Sequence, residues 1–222
     1  MNNLLLLIKN INNYGLTVFL KMIFYEVFYS IKLKNIKSLT YEEINNDNYV
    51  KTKNKKKYNT PYIPTPYYFL ILINRYFKSK QINNYLLVDL GCGYSRSRFF
   101  FEKNLSFFIG IDYNKKIIQY LNNKKIKRSL FFNKNLRSDQ NILFLINQIE
   151  KFKNGKRVIL FFSDSFELNL LKKIILKLKK KLYFYCVIVN LKEKSFLKTN
   201  NIIVFNKIFY NKNRNIFIYK LT

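Results

Sequence analysis

Residues 85–112 read YLLVDLGCGYSRSRFFFEKNLSFFIGID. Two apolar runs of strand length, YLLVDL (85–90) and FFIGID (107–112), bracket a Gly91-Cys92-Gly93 turn and a helix-length segment, SRSRFFFEKN (95–104). Nearly unbroken apolar runs mark strands buried on both faces, and a strand-helix-strand unit implies a right-handed crossover and parallel pairing. Each strand carries an acid at or beside its end, Asp89 and Asp112.

The same alternation continues outward. NKKIIQYLNNKKIK (114–127) predicts a helix, SLFFNKN (129–135) a third strand, NILFLINQIEKF (141–152) a helix and RVILFFSD (157–164) a fourth strand. FELNLLKKIILKLKKK (166–181) predicts a long helix with Leu170, Leu171, Ile174, Ile175 and Leu178 on one side, followed by a fifth strand in LYFYCVIVN (182–190). NIIVFNKIF (201–209) and NIFIYKL (215–221) have no helix between them, which predicts an antiparallel hairpin at the sheet edge. Upstream, Thr65-Pro66 reads as an N-cap followed by proline at the first helical position, opening a helix to Ser79. The expectation is an α/β, Rossmann-like seven-stranded sheet, mostly parallel with a C-terminal antiparallel hairpin, plus an N-terminal helical extension.

Ahead of that domain, Phe19, Ile23, Val27 and Ile31 recur at helical spacing, with Met22 and Phe28 widening the stripe. Packing on the main domain is the preferred reading of this helix, and membrane-surface binding the alternative. SLTYEEI reads as a helical turn, and NNDNYVKTKNKKKYN as a solvated lysine-rich linker. The division expected is 1–57 for the extension and linker and 58–222 for the catalytic-type domain.

With 41 Lys+Arg against 12 Asp+Glu, the formal net charge over 222 residues is +29, which favours encounters with anionic surfaces without naming one. Histidine is absent and the two cysteines, Cys92 and Cys186, are far apart, so a Cys/His zinc site, a His-based triad and a disulfide framework are not expected. Lys9, Lys21 and Glu26 interrupt the apolar N-terminal blocks short of a membrane span, and the start lacks the features of a signal peptide. The expected location is cytoplasmic, with membrane association as the alternative.

In a doubly wound sheet the loop after the first strand meets the ligand. Gly91 and Gly93 free the backbone for positive φ and for close approach of a ligand, and a plain tight turn is the competing explanation. A dinucleotide site wants a third glycine where this chain has Arg96, and phosphate sits poorly beside Asp89, so a nicotinamide-dependent oxidoreductase is disfavoured. The acid suits a cofactor carrying cationic groups.

VDLGCGYSR followed by FIGIDYN resembles motif I and the next strand end of the class I S-adenosylmethionine-dependent methyltransferases. The resemblance implies S-adenosyl-L-methionine as cofactor, with Asp89 and the Gly91-Cys92-Gly93 backbone at its methionine part. It implies Asp112 on the ribose hydroxyls and Tyr113 beside the adenine. More narrowly, YIPTPYYFL and ILFFSDSF are similar to a bacterial branch with a Y-x-P-T-P-Y segment, distantly related to Dot1-like and other lysine-directed methyltransferases, in which Thr65 approaches the cofactor from above. Ser95 stands where the family usually has glycine, Asn135 is the available polar residue after the third strand, and SDSF replaces the proline-containing fourth-strand motif. Asp164 takes the substrate-facing catalytic position of that motif, or else caps the following helix.

Transfer of a methyl group from a sulfonium needs alignment more than acid–base groups, and no metal; Asp164, Tyr62 or Tyr67 are the candidates to direct the acceptor's proton. The acceptor class is open among protein lysine, a small molecule, a glycan and RNA. The alternative is a catalytically inactive methyltransferase-like module that binds RNA or another anionic partner through its charge.

Overall fold

β1 (Tyr85–Leu90) is buried at every position and lies in the interior of a seven-stranded sheet. The computed structural model describes residues 8, 10–33, 65–162, 168–190, 202–209 and 214–221. In chain order these form α1 (Leu16–Lys32), α2 (Tyr67–Ser79), β1, α3 (Arg96–Phe100), β2 (Leu105–Asp112), α4 (Lys115–Asn123), β3 (Ser129–Asn133), α5 (Asp139–Lys153), β4 (Val158–Phe162), α6 (Leu168–Lys179), β5 (Phe184–Val189), β6 (Ile202–Ile208) and β7 (Asn215–Leu221). The sheet order is β3-β2-β1-β4-β5-β7-β6. β1 to β5 run parallel, and β7 is antiparallel to both its neighbours.

Alternation along β1 divides the interior into two cores. Tyr85 and Leu87 join α2 and α4 in the first, through Phe69, Leu70, Ile73, Ile117 and Leu121. Leu86, Val88 and Leu90 join α5 and α6 in the second, through Ile142, Leu145, Leu171, Ile174 and Leu178. The apolar stripe expected on α6 is therefore its buried face. Two lysines on its exposed side, Lys173 and Lys177, hold Asp139 at 2.6 and 2.8 Å and tie α6 to the start of α5. Cys92 and Cys186 are buried free thiols, one in each core.

The closing strands pair antiparallel as expected, but β7 lies between β5 and β6, so the edge strand is β6. The reason is apolarity: six of the seven β7 residues are buried, while Ile203 and Ile208 of β6 stay exposed, and an interior strand needs both faces apolar.

α1 packs on the first core through Val18, Met22, Tyr25 and Tyr29, with Tyr25 stacked on Tyr68 and Tyr29 on Tyr67. At its start Tyr14 is buried edge-on against Phe69 and Phe209. This docking corrects the expected start of α2. Pro66 occupies the cap position rather than the first helical turn, and Thr65 supplies no side-chain cap. The Tyr67 N–H instead donates to the Glu26 carboxylate of α1 at 2.8 Å, so a tertiary partner fills the role assigned to Thr65.

The linker expected ahead of residue 58, the boundary between 57 and 58, Tyr62 and Asp164 lie outside the described residues. Among the described residues no helix is long and apolar enough to cross a membrane.

Candidate functional site

The strand order reverses between β1 and β4. The crossover from β1 to β2 lies over the first core, and α6, which follows β4, lies over the second, so the carboxyl ends of these two strands form the topological switch point at which sheets of this kind bind their ligands. The turn after β1 lies at that point.

Gly91 has φ 79° and Gly93 φ 48°, so both glycines adopt the left-handed region that their lack of a Cβ makes accessible. Ser95 adopts the same region, at φ 60° and ψ 40°, and is fully buried. The chain thus keeps a glycine-type backbone at the position where the sequence departs from glycine. Most N–H groups of the turn point inward. Gly91 and Cys92 both donate to the Ile111 carbonyl, at 2.8 and 3.1 Å, and Ser95 donates to the Cys92 carbonyl at 2.8 Å. Gly93 donates to Asp112 Oδ2 at 3.0 Å. The Cys92 side chain turns into the first core, where burial pushes its thiol well up in pKa.

Two carboxylates flank this turn. Asp89 is buried and accepts a hydrogen bond from the Ser97 hydroxyl on α3. Burial pushes its carboxyl up to about 7, with the Ser97 hydrogen bond opposing and the Asp112 charge adding. Asp112, at the end of β2, accepts the Gly93 N–H on Oδ2 and the Asn114 N–H, at 2.8 Å, on Oδ1. Burial raises its pKa too, against the pull of those backbone donors. Among the described residues neither carboxylate has an ion-pair partner. In a chain of net charge +29 that absence leaves acids, not bases, at the turn.

Tyr113 follows Asp112 and is half exposed. The Thr65 carbonyl accepts from Arg96 Nη1 at 3.3 Å. Arg96 is the residue that breaks the dinucleotide pattern, and its guanidinium is committed elsewhere: to Glu26 at 2.7 Å and over the Tyr67 ring at 4.3 Å. Tyr67 is buried in this stack, against Tyr29 and Phe100 as well, and burial raises its pKa. Asn135 is exposed and turned to the chain itself, accepting the Arg137 N–H at 3.1 Å.

Three residues with a part in the site escaped the sequence reading. Glu26 joins α1 to the turn through Arg96, Ser97 holds Asp89, and Gly110 of β2 lets the turn sit close. A Cβ on Gly110 would lie 2.7 Å from Phe131 Cδ1 and 2.9 Å from Cys92 Sγ. Only the Gly110 signal, a lone glycine inside a strand, was present in the sequence.

The sequence matches no family model and no curated protein. Among solved structures it is similar to a protein in the NADB-Rossmann superfamily from Streptococcus agalactiae, at 16% identity and TM-score 0.50 over 68% of this chain and 67% of that one. The fold is Rossmann-like. Similar structures also include an RNA methyltransferase from Salinibacter ruber in complex with S-adenosyl-L-homocysteine, at 14% identity and TM-score 0.49 over 72% of this chain and 94% of that one. Another is the N-methyltransferase NodS from Bradyrhizobium japonicum WM9, at 8% identity and TM-score 0.49 over 70% and 95%.

Proposed function

We propose that this chain binds S-adenosyl-L-methionine at the turn after β1 and transfers its methyl group to an acceptor. The observation that carries the reading is the acceptor character of the turn. Its N–H groups at Gly91, Cys92, Gly93 and Ser95 are taken internally, and Asp89 and Asp112 flank it without a described cation partner. A phosphate ligand needs outward N–H donors. A ligand carrying a sulfonium and an ammonium is matched by carboxylates and carbonyls.

Asp89 and the Gly91–Gly93 backbone would hold the methionine part, Asp112 the ribose hydroxyls and Tyr113 the adenine face. The cofactor supplies an electrophilic methyl group. The chain's task is to align the acceptor in line with it and to direct the proton the acceptor loses, which we assign to Asp164 in the segment after β4. The Tyr62–Tyr67 segment supports a place in the Y-x-P-T-P-Y branch. The alternative of an inactive module draws on Ser95 and on the SDSF segment after β4; the glycine-type backbone at Ser95 speaks against the first of these.

The test is transfer of a labelled methyl group to the protein, RNA, glycan and small-molecule fractions of an extract from cells lacking this chain. Label is expected in one fraction with the wild type and none with Asp112→Ala. Cofactor binding without label in any fraction would return the reading to the inactive module.

A further inference from the structure

α1 is apolar on two opposite sides, and only one of them is used. Val18, Met22, Tyr25 and Tyr29 face the first core. On the outer side Leu20, Ile23, Phe24, Val27, Phe28 and Ile31 follow one another at helical spacing and are all exposed, Phe24 at 61% and Ile31 at 62%. Scattered exposed apolar residues are ordinary, but a continuous stripe over about three turns of one helix marks a surface that is covered in use.

The charges around the stripe say what covers it. Lys21 and Lys32 are exposed along its border, and the net charge of the chain is +29. The one acid of α1, Glu26, is turned inward onto Arg96 and Tyr67, so the outer side presents apolar side chains and cations with no carboxylate. The Lys32 ammonium sits 5.7 Å above the Phe28 ring, at the border of the stripe. An aliphatic and aromatic stripe bordered by lysines fits an anionic bilayer surface, with the stripe among the upper acyl chains and the ammonium groups at the lipid phosphates. A second copy of the chain meets the repulsion of two strongly cationic bodies, and a nucleic acid has no use for the aliphatic stripe.

We propose that the outer face of α1 docks the protein on anionic lipid surfaces. The proposal is independent of the methyl-transfer reading, because the residues involved lie on the side of α1 away from the glycine turn.

The experiment is flotation of the full chain with phosphatidylcholine vesicles and with mixed phosphatidylcholine–phosphatidylglycerol vesicles. The wild type is expected to float with the mixed vesicles only. Phe24→Glu should weaken that binding at least ~tenfold by placing a charge in the stripe that enters the lipid. Ile31→Glu repeats the test at the far end of the helix should Phe24→Glu fold poorly by circular dichroism. Leu176→Glu, at a residue of α6 that is 54% exposed, should bind as the wild type does. Lys21→Glu/Lys32→Glu should weaken binding as well. The proposal fails if the wild type stays unbound, if both α1 glutamate variants float as well as the wild type, or if light scattering shows a dimer abolished by Phe24→Glu without any vesicle binding.

Discussion

Glu26 of α1 grips Arg96 of α3 at 2.7 Å through one carboxylate oxygen and accepts the Tyr67 N–H of α2 at 2.8 Å through the other. One carboxylate thus caps a helix, pairs a guanidinium and ties the N-terminal helix to the turn after β1. Both side chains keep partial contact with water, which moderates the ion pair; Glu26→Ala should lower unfolding stability by about 1–2 kcal/mol. A double-mutant cycle with Arg96→Ala in urea denaturation should show the two losses to be non-additive, and additive losses would mean that the pair contributes nothing jointly.

Ser95 holds a left-handed backbone at φ 60°. That conformation costs a residue with a Cβ about 1 kcal/mol relative to glycine, part of which glycine's looser unfolded state offsets. Ser95→Gly should therefore match or exceed wild-type stability, and Ser95→Val should lose at least ~2 kcal/mol, both read from thermal melts. Cofactor affinity of Ser95→Gly should stay within about twofold of wild type, since the turn already has the glycine shape.

Gly110 is required by packing rather than by its own backbone angles. Its missing side chain leaves room for Phe131 and Cys92, and an added methyl would come within 2.9 Å of the Cys92 Sγ. Gly110→Ala should destabilise the fold by about 1–3 kcal/mol through overpacking. Because Cys92 belongs to the turn, its ligand affinity should fall as well. Gly155, where an added Cβ meets nothing within 4 Å but φ is +70°, serves as a comparison in which strain alone acts.

Asp89 makes stability depend on pH. Its carboxyl is pushed up to about 7 in the fold by burial, while in the unfolded chain it ionises near ~4. Between those values the folded state holds a proton that the unfolded state has released. The group's contribution to stability therefore falls as pH rises through the window, by about 1.4 kcal/mol per unit, and levels off above it. Asp112, also raised by burial, adds a slope of the same sign. Asp89→Asn should raise the neutral-pH melting temperature and reduce the slope. A cationic ligand favours ionised Asp89, so its affinity should rise with pH towards and through about 7 in the wild type and lose most of that dependence in Asp89→Asn. Calorimetry in buffers of different ionisation enthalpy reads the released proton directly.

The sheet was legible because each strand is a short apolar run between helical periods. YLLVDL and NIFIYKL coincide with β1 and β7 residue for residue, and Gly93 of the turn after β1 meets Asp112 at the end of β2. Contacts between distant segments were not legible. Nothing local to Thr65-Pro66 reveals that Glu26, 41 residues before Tyr67, supplies the helix cap. Nor does periodicity reveal which of two hairpin strands lies inside the sheet; that depends on how much apolar surface each one brings. The dual apolar character of α1 was present in its composition, but assigning a face to each residue required knowing where Tyr67 and Phe100 pack.

The turn after β1, flanked by Asp89 and Asp112, is where we propose that S-adenosyl-L-methionine binds. Isothermal titration of the full chain with S-adenosyl-L-methionine and with S-adenosyl-L-homocysteine tests it most directly, alongside Asp112→Ala. Saturable binding of one molecule per chain is expected for the wild type, weakened by about a hundredfold in Asp112→Ala with the loss of charge-assisted hydrogen bonds. No heat with either ligand, or equal affinity in Asp112→Ala, would contradict the account.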